Sequence, residues 1–348
     1  MNELLRHFIE NKKDSVIVKD IIVYGYQFKY DYKLLGSVTD FLFEDLCINE
    51  DYMIVKGALN RPGEIYQKYY VTVHDTASSA STGNGLAHAK YVYNGGGGTS
   101  WHYTCSHDGI YHHIPDNENA YHAGDGRRDY ILTPSGIKGS NKNPSVSISS
   151  DGYYELDGIK SCVIAPTNEE GLILSTKDIN DQGIRVVVID GEYFIGNTYY
   201  NTGYHFIANG GGNRNSIGIE SCINQGSDIY YTWQKLSKLV AKLVLENNLD
   251  ISDVKPHHFF SGKPCPMTMR RAGMWDTFMK HVEFEYMIMT KYQDYKIEFV
   301  SHNTEYLNNL GKVIKQPTHD LVVSYDIIVT YKGTLEKITL SSLIPGLN

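Results

Sequence analysis

YYVTVHDTASS, residues 69–79, alternates apolar and polar side chains from Tyr69 to His74, as a strand in a sheet does. The strand ends on a histidine. Beyond it, TGNGLAHAKYVYNGGGG (82–98) predicts a helix broken at Gly95 to Gly98, and SWHYTCSHDGIYHHI (100–114) predicts a hairpin turning at Asp108-Gly109. No GK[ST] follows the four glycines, so they read as a turn and not as a phosphate cradle. NSIGIESCIN (215–224) reads as a second core strand. DIYYTWQKLSKLVAKLVLENN (228–248) then places Trp233, Leu236, Val240, Leu243 and Val244 on one helical face, a stripe that reads as core packing. Strands interleaved with helices put this part of the chain in the α/β class.

The regions around these segments differ in character. Residues 1–60 form a polar and aromatic leader ending at the turn-forming Asn60-Arg61-Pro62-Gly63. Residues 127–206 carry short strand-like runs such as YYELDG and IRVVVIDGEYFIGNTYY, which predict a β-rich unit. Residues 289–348 alternate with period two and predict a small C-terminal β domain. The whole chain, at 348 residues with 41% hydrophobic and 21% charged side chains, is long enough for one large core and one or two small ones.

Charge and cysteine content narrow the function. A formal charge of -8 without a basic stripe argues against nucleic acid as a partner. No run of eighteen apolar residues occurs and MNELLRHFIENKKDS has no apolar core behind its charges, so neither a membrane span nor a secretory signal is expected. Five scattered cysteines, odd in number and without a CxxC pair, do not read as a disulfide framework, which leaves one or more for chemistry. The 28 tyrosines offer flat faces suited to sugar rings, although β-rich domains also favour tyrosine.

His74, His257 and Cys265, the last two within KPHHFFSGKPCP (255–266), are candidate soft metal ligands. Zinc enzymes commonly use three protein ligands of these types and leave a fourth position for water. Singly, each has a blander reading: a hydrogen-bonded structural histidine, or a cysteine that acts as a small buried hydrophobe. With 14 histidines in the chain, chance pairings are cheap.

Four segments in order, VTVHDTASS, SWHYTCSHDGIYHHIPDNENAYHAGDG, NSIGIESCIN and HHFFSGKPCP, resemble the successive signatures of the type 2 N-acetylmuramoyl-L-alanine amidases, which include phage endolysins, bacterial autolysins and the related peptidoglycan recognition proteins. The resemblance covers roughly residues 60–126 and 207–285. It implies a mixed central sheet flanked by helices and a discontinuous zinc amidase domain over residues 61–126 and 207–288, with residues 1–60 as its leader and 127–206 as a β-rich insertion. It also implies Zn²⁺ held by His74, His257 and Cys265. His257 is preferred over His258 because the family's histidine stands eight positions before its cysteine. The metal would acidify a water molecule and polarise the scissile carbonyl.

By the same resemblance Glu220 would move protons and Lys263 would stabilise the oxyanion. Their bland alternatives are a surface glutamate and a solvated loop lysine. Trp101 stands where some relatives carry a tyrosine near the metal, so a hydroxyl donor is missing there, and His122 lies in a motif that lines the substrate cleft; both are assigned to substrate binding. The main departure from the pattern is that more than eighty residues separate AYHAGDG from NSIGIE. Aromatics of that insertion, Tyr153, Tyr154, Tyr193, Phe194, Tyr199 and Tyr200, could stack on glycan or simply pack. The C-terminal unit faintly resembles bacterial immunoglobulin-like modules.

The expected activity is hydrolysis of the amide between N-acetylmuramic acid and L-alanine of bacterial peptidoglycan, by an endolysin made in the host cytoplasm of a Gram-positive bacterium and acting at the wall after release. Neither membrane insertion nor an obligatory protein partner is expected. The alternative is a non-catalytic peptidoglycan-binding protein of the same fold, whose mark would be loss of the cysteine ligand. Cys265 is present.

Overall fold

The computed structural model describes residues 2–24, 29–76, 78, 80–124, 126–128, 132–165, 186–196, 204–206, 212–261 and 265–348. A six-stranded mixed sheet forms its centre: β1 (Ile48–Asn49), β2 (Tyr70–Asp75), β3 (Tyr103–Ser106), β4 (Gly109–His112), β5 (Ser216–Ser221) and β6 (Val254–Pro256), in the order β6-β2-β5-β3-β4-β1. β5 is parallel to both β2 and β3, and β6 is parallel to β2. Every residue of β2 from Val71 to Asp75 is buried, so the alternation in its sequence does not mark a wet face. Both sides are covered, as central parallel strands require. Thr72 is tolerated inside because its hydroxyl meets the Ser216 hydroxyl at 2.7 Å.

Helices α1 (Gly85–Tyr93), α2 (Ile229–Glu246) and α3 (Trp275–Lys291) flank this sheet. The predicted stripe on α2 is core: Trp233, Leu236, Val240, Leu243 and Val244 pack against Val71, Val73, Ile217 and Ile219. Asp228 caps α2 by accepting from the Tyr231 N–H at 3.0 Å. The helix expected over 82–98 ends at Tyr93, and Gly95 to Gly98 all take positive φ (54° to 104°) in the turn that follows. The hairpin turns one residue earlier than expected: Ser106 pairs with Gly109, so His107 and Asp108 form the turn.

The insertion is β throughout its described part, as expected. Two three-stranded sheets, from strands between Leu132 and Gly196, enclose a small core of Ile137, Tyr154, Leu156, Ala165, Tyr193 and Ile195. Tyr154 and Tyr193 therefore pack and are not offered to a glycan; Tyr153 and Phe194 are half-buried, and Tyr199 and Tyr200 lie outside the described residues. The chain enters and leaves the insertion through a paired neck, Gly126–Arg128 antiparallel to Tyr204–Phe206.

In the C-terminal part of the chain, strands Lys296–Ser301, Leu321–Tyr331 and Thr334–Ile344 form one antiparallel sheet. The helix Glu3–Glu10 packs on it: Leu4, Leu5 and Phe8 share a core with Phe299, Val323, Tyr325 and Ile327. The N-terminal residues thus join the C-terminal sheet as well as leading into the amidase unit. Among the described residues this is one sheet backed by helix, not the two packed sheets of an immunoglobulin-like unit. No helix among the described residues is long and apolar enough to cross a membrane.

Glu285 on α3 is fully buried, with Oε1 accepting from the Leu42 N–H at 2.6 Å, and burial pushes its carboxyl up to about 8. A folded-state value raised above that of the unfolded chain makes its contribution to stability full below about pH 4.5 and lost as pH rises towards 8. Glu285→Gln keeps the acceptor for Leu42 and removes the charge. The variant should gain stability over wild type as pH rises, on the order of 2–4 kcal/mol at pH 8 relative to pH 5. Melting temperatures of both proteins at the two pH values check this, and a difference independent of pH would refute it.

Candidate metal centre

The parallel strands end at one edge of the sheet, and the site is built there. β2 delivers His74. β6 lies beside β2, and the ladder continues one residue further, where the His257 N–H donates to the Val73 carbonyl at 3.1 Å. The chain then loops through a short helix and returns, with the His258 N–H donating to the Cys265 carbonyl at 2.9 Å. This brings Cys265 back against His257. Asp75 holds the far side of the loop: its Oδ2 accepts from the Thr268 N–H at 2.6 Å.

The result is a buried cluster in which one ligand atom each of His74, His257 and Cys265 lies within 4.8 Å of the others. The three residues are 1%, 7% and 6% exposed. His74 Nδ1 faces Cys265 Sγ at 3.7 Å, and the His74 and His257 rings meet at 4.6 Å between centroids. Two imidazoles and a thiol converging at such distances are a donor set that suits zinc, with three protein ligands and an open fourth position. The cluster takes His257 and not its neighbour.

Glu220, the penultimate residue of β5, lies directly beside His74 in the parallel register, with Oε1 3.8 Å from His74 Nδ1. The carboxylate is therefore next to the donors. The opposite ring nitrogen, His74 Nε2, lies 2.9 Å from His122 Nδ1. Burial, helped by the charge on Lys68, pushes His122 down to about 3, against the pull of a hydrogen bond to the Ser216 backbone. Trp101 is placed elsewhere: it is buried with Ile54, Val92, Ile114 and Ala120, and its indole N–H donates to Thr104 Oγ1 at 2.8 Å. Lys263 lies outside the described residues.

Three residues of the surroundings went unread in the sequence. Asp75 ties the cysteine loop to β2, and its only signal is a carboxylate directly after the histidine. Asn213, just after the insertion, accepts at its Oδ1 from the backbone N–H groups of His122, Ala123 and Gly124 at 2.8, 2.8 and 2.9 Å. Gly218 leaves space for a ring, since a Cβ there would come within 2.6 Å of His122. A glycine inside an apolar strand is a readable sign of such close approach.

The family model Amidase_2, described as N-acetylmuramoyl-L-alanine amidase, matches residues 66–268. The chain is 29% identical over 231 residues to the N-acetylmuramoyl-L-alanine amidase XlyA of Bacillus subtilis (strain 168), a match covering 66% of this chain and 49% of XlyA. It is 27% identical over 235 residues to CwlH of the same organism, over 68% of this chain and 60% of CwlH. The chain thus spans about half the length of the first of these relatives and 60% of the second. The solved catalytic domain of XlyA aligns with 68% of this chain and 99% of its own, at 27% identity and a TM-score of 0.42. With the family match spanning more than half of its length and containing His74, Glu220, His257 and Cys265, the chain belongs to the N-acetylmuramoyl-L-alanine amidase family.

Proposed function

We propose that the chain is a zinc-dependent amidase that hydrolyses the bond between N-acetylmuramic acid and the L-alanine of the peptidoglycan stem. The convergence of His74, His257 and Cys265 beside a carboxylate, inside the region matched by the family, carries this reading. Bound zinc would supply Lewis acidity towards a water molecule and the scissile carbonyl. His74 and His257 would hold it through neutral imidazole nitrogens, and Cys265 through its thiolate. Glu220 would accept a proton from the attacking water and deliver it to the leaving amine, so that hydroxyl ends on the lactyl carbonyl carbon and hydrogen on the alanine nitrogen. Lys263, two residues before Cys265, is assigned the developing negative charge on sequence grounds.

The setting proposed with this activity is that of a phage endolysin acting on a Gram-positive wall. A β unit whose neck leaves the sheet beside the short helix His258–Ser261 of the cysteine loop suits a polymeric substrate better than a small soluble one. Incubating purified peptidoglycan with the protein and identifying the new ends by mass spectrometry tests the reaction. Free N-terminal L-alanine together with free lactyl carboxyl groups is the expected outcome. New reducing ends, cleavage within the stem peptide or an undigested wall would overturn the proposal.

A further inference from the structure

Resting on the zinc reading above, we infer that His122 is a positioning residue: it accepts a hydrogen bond from His74 Nε2–H and so fixes the tautomer that leaves His74 Nδ1 free for the metal. The geometry separates the two nitrogens of His74. Nδ1 faces the cluster, 3.7 Å from Cys265 Sγ, while Nε2 faces away and meets His122 Nδ1 at 2.9 Å. A neutral imidazole carries one proton. If His122 donated it to His74, the proton of His74 would sit on Nδ1, where it would block coordination. If His74 donates, Nδ1 presents its lone pair to the cluster. An outer partner on the far nitrogen is how metal-bound histidines are usually oriented.

The surroundings hold the His122 ring in one place. Asn213 Oδ1 gathers three successive N–H groups, from His122 to Gly124, which fixes the backbone of the loop. Beneath the ring lies Gly218, where a Cβ would sit 2.6 Å from His122 Nδ1 and Cε1. That strand position is in turn pinned by the buried His102. The Gly218 N–H donates to His102 Nδ1 at 3.0 Å, and His102 Nε2 lies 2.9 Å from the Glu118 carbonyl. His102 Nε2 must therefore carry the proton, so this second ring has its tautomer fixed as well. The motif AYHAGDG thus reaches the metal through His74.

The test measures metal affinity and not turnover. Zinc binding to the full chain is titrated against a chromophoric chelator, with folding followed by circular dichroism and the Co²⁺ form followed by its visible absorption. His122→Ala should bind zinc about 10 to 100 times more weakly than wild type. His122→Asn should recover most of that loss, because asparagine Oδ1 stands the same number of bonds from the backbone as histidine Nδ1 and can accept the same hydrogen bond. Gly218→Ala retains the imidazole but displaces it, and should shift the Co²⁺ spectrum and weaken binding in the same direction. Affinity in His122→Ala equal to that of a tightly binding wild type would overturn this inference alone. A wild type that takes up no zinc would overturn the metal reading and this inference with it.

Discussion

Replacing Cys265 by serine is expected to abolish stable zinc retention while leaving the metal-free fold intact. The side chain is 6% exposed and sits with Sγ 3.7 Å from His74 Nδ1, so serine fits the same space but offers a much weaker ligand. Loss of an outer hydrogen-bond partner already costs 10- to 100-fold in affinity, so loss of a direct donor should exceed about 100-fold. Folding and binding are linked, because a metal that binds only the native chain raises its melting temperature with concentration. Wild type should therefore melt higher as free zinc rises, and Cys265→Ser should not. Metal analysis after dialysis gives a second readout. Full zinc occupancy in the variant would remove Cys265 from the donor set, and hydrolysis by a zinc-free variant would remove the metal from the reaction.

Glu220→Gln should do the reverse, keeping zinc and losing turnover. Glutamine preserves the length of the side chain and an oxygen near His74, but it cannot take a proton at neutral pH. General acid and base catalysis is worth about 10² to 10⁴ in rate, and kcat should fall by that amount with zinc affinity little changed. Wild-type turnover in Glu220→Gln would transfer the proton work to another group. Paired with the cysteine variant, it separates a failure of metal binding from a failure of chemistry.

Donor types and the main core elements were legible in the sequence because both rest on local pattern. The strand that carries His74, the apolar stripe on α2 and the approach of His257 to Cys265 across eight positions are all present in the fold. What the sequence hid was the set of partners made by distant pairing. Asn213 meets residues 122 to 124 about ninety positions away, and Leu42 meets Glu285 at a separation of 243. Such contacts have no period to betray them. Composition hid the sharing of a core between the first and last segments, because helix Glu3–Glu10 is amphipathic on its own and does not announce which sheet it covers. Trp101 shows the opposite error: an aromatic in a catalytic motif that, in the fold, mainly fills a small core.

The neck formed by Gly126–Arg128 and Tyr204–Phe206 bears on how the sheet assembles. β5 must slot between β2 and β3, yet it leaves the ribosome long after both. Had the intervening chain been loose, closing that slot would carry the entropy of a long loop, which grows with the logarithm of its length at about 0.6 kcal/mol per doubling. Zipping the neck over a β core of its own brings the two ends of the insertion together, so that most of the intervening chain drops out of the span that β5 must close. The sheet is then insensitive to the size of what hangs from it. The neck acts as a socket: what hangs from it need not disturb the register of the strands that carry His74 and Glu220.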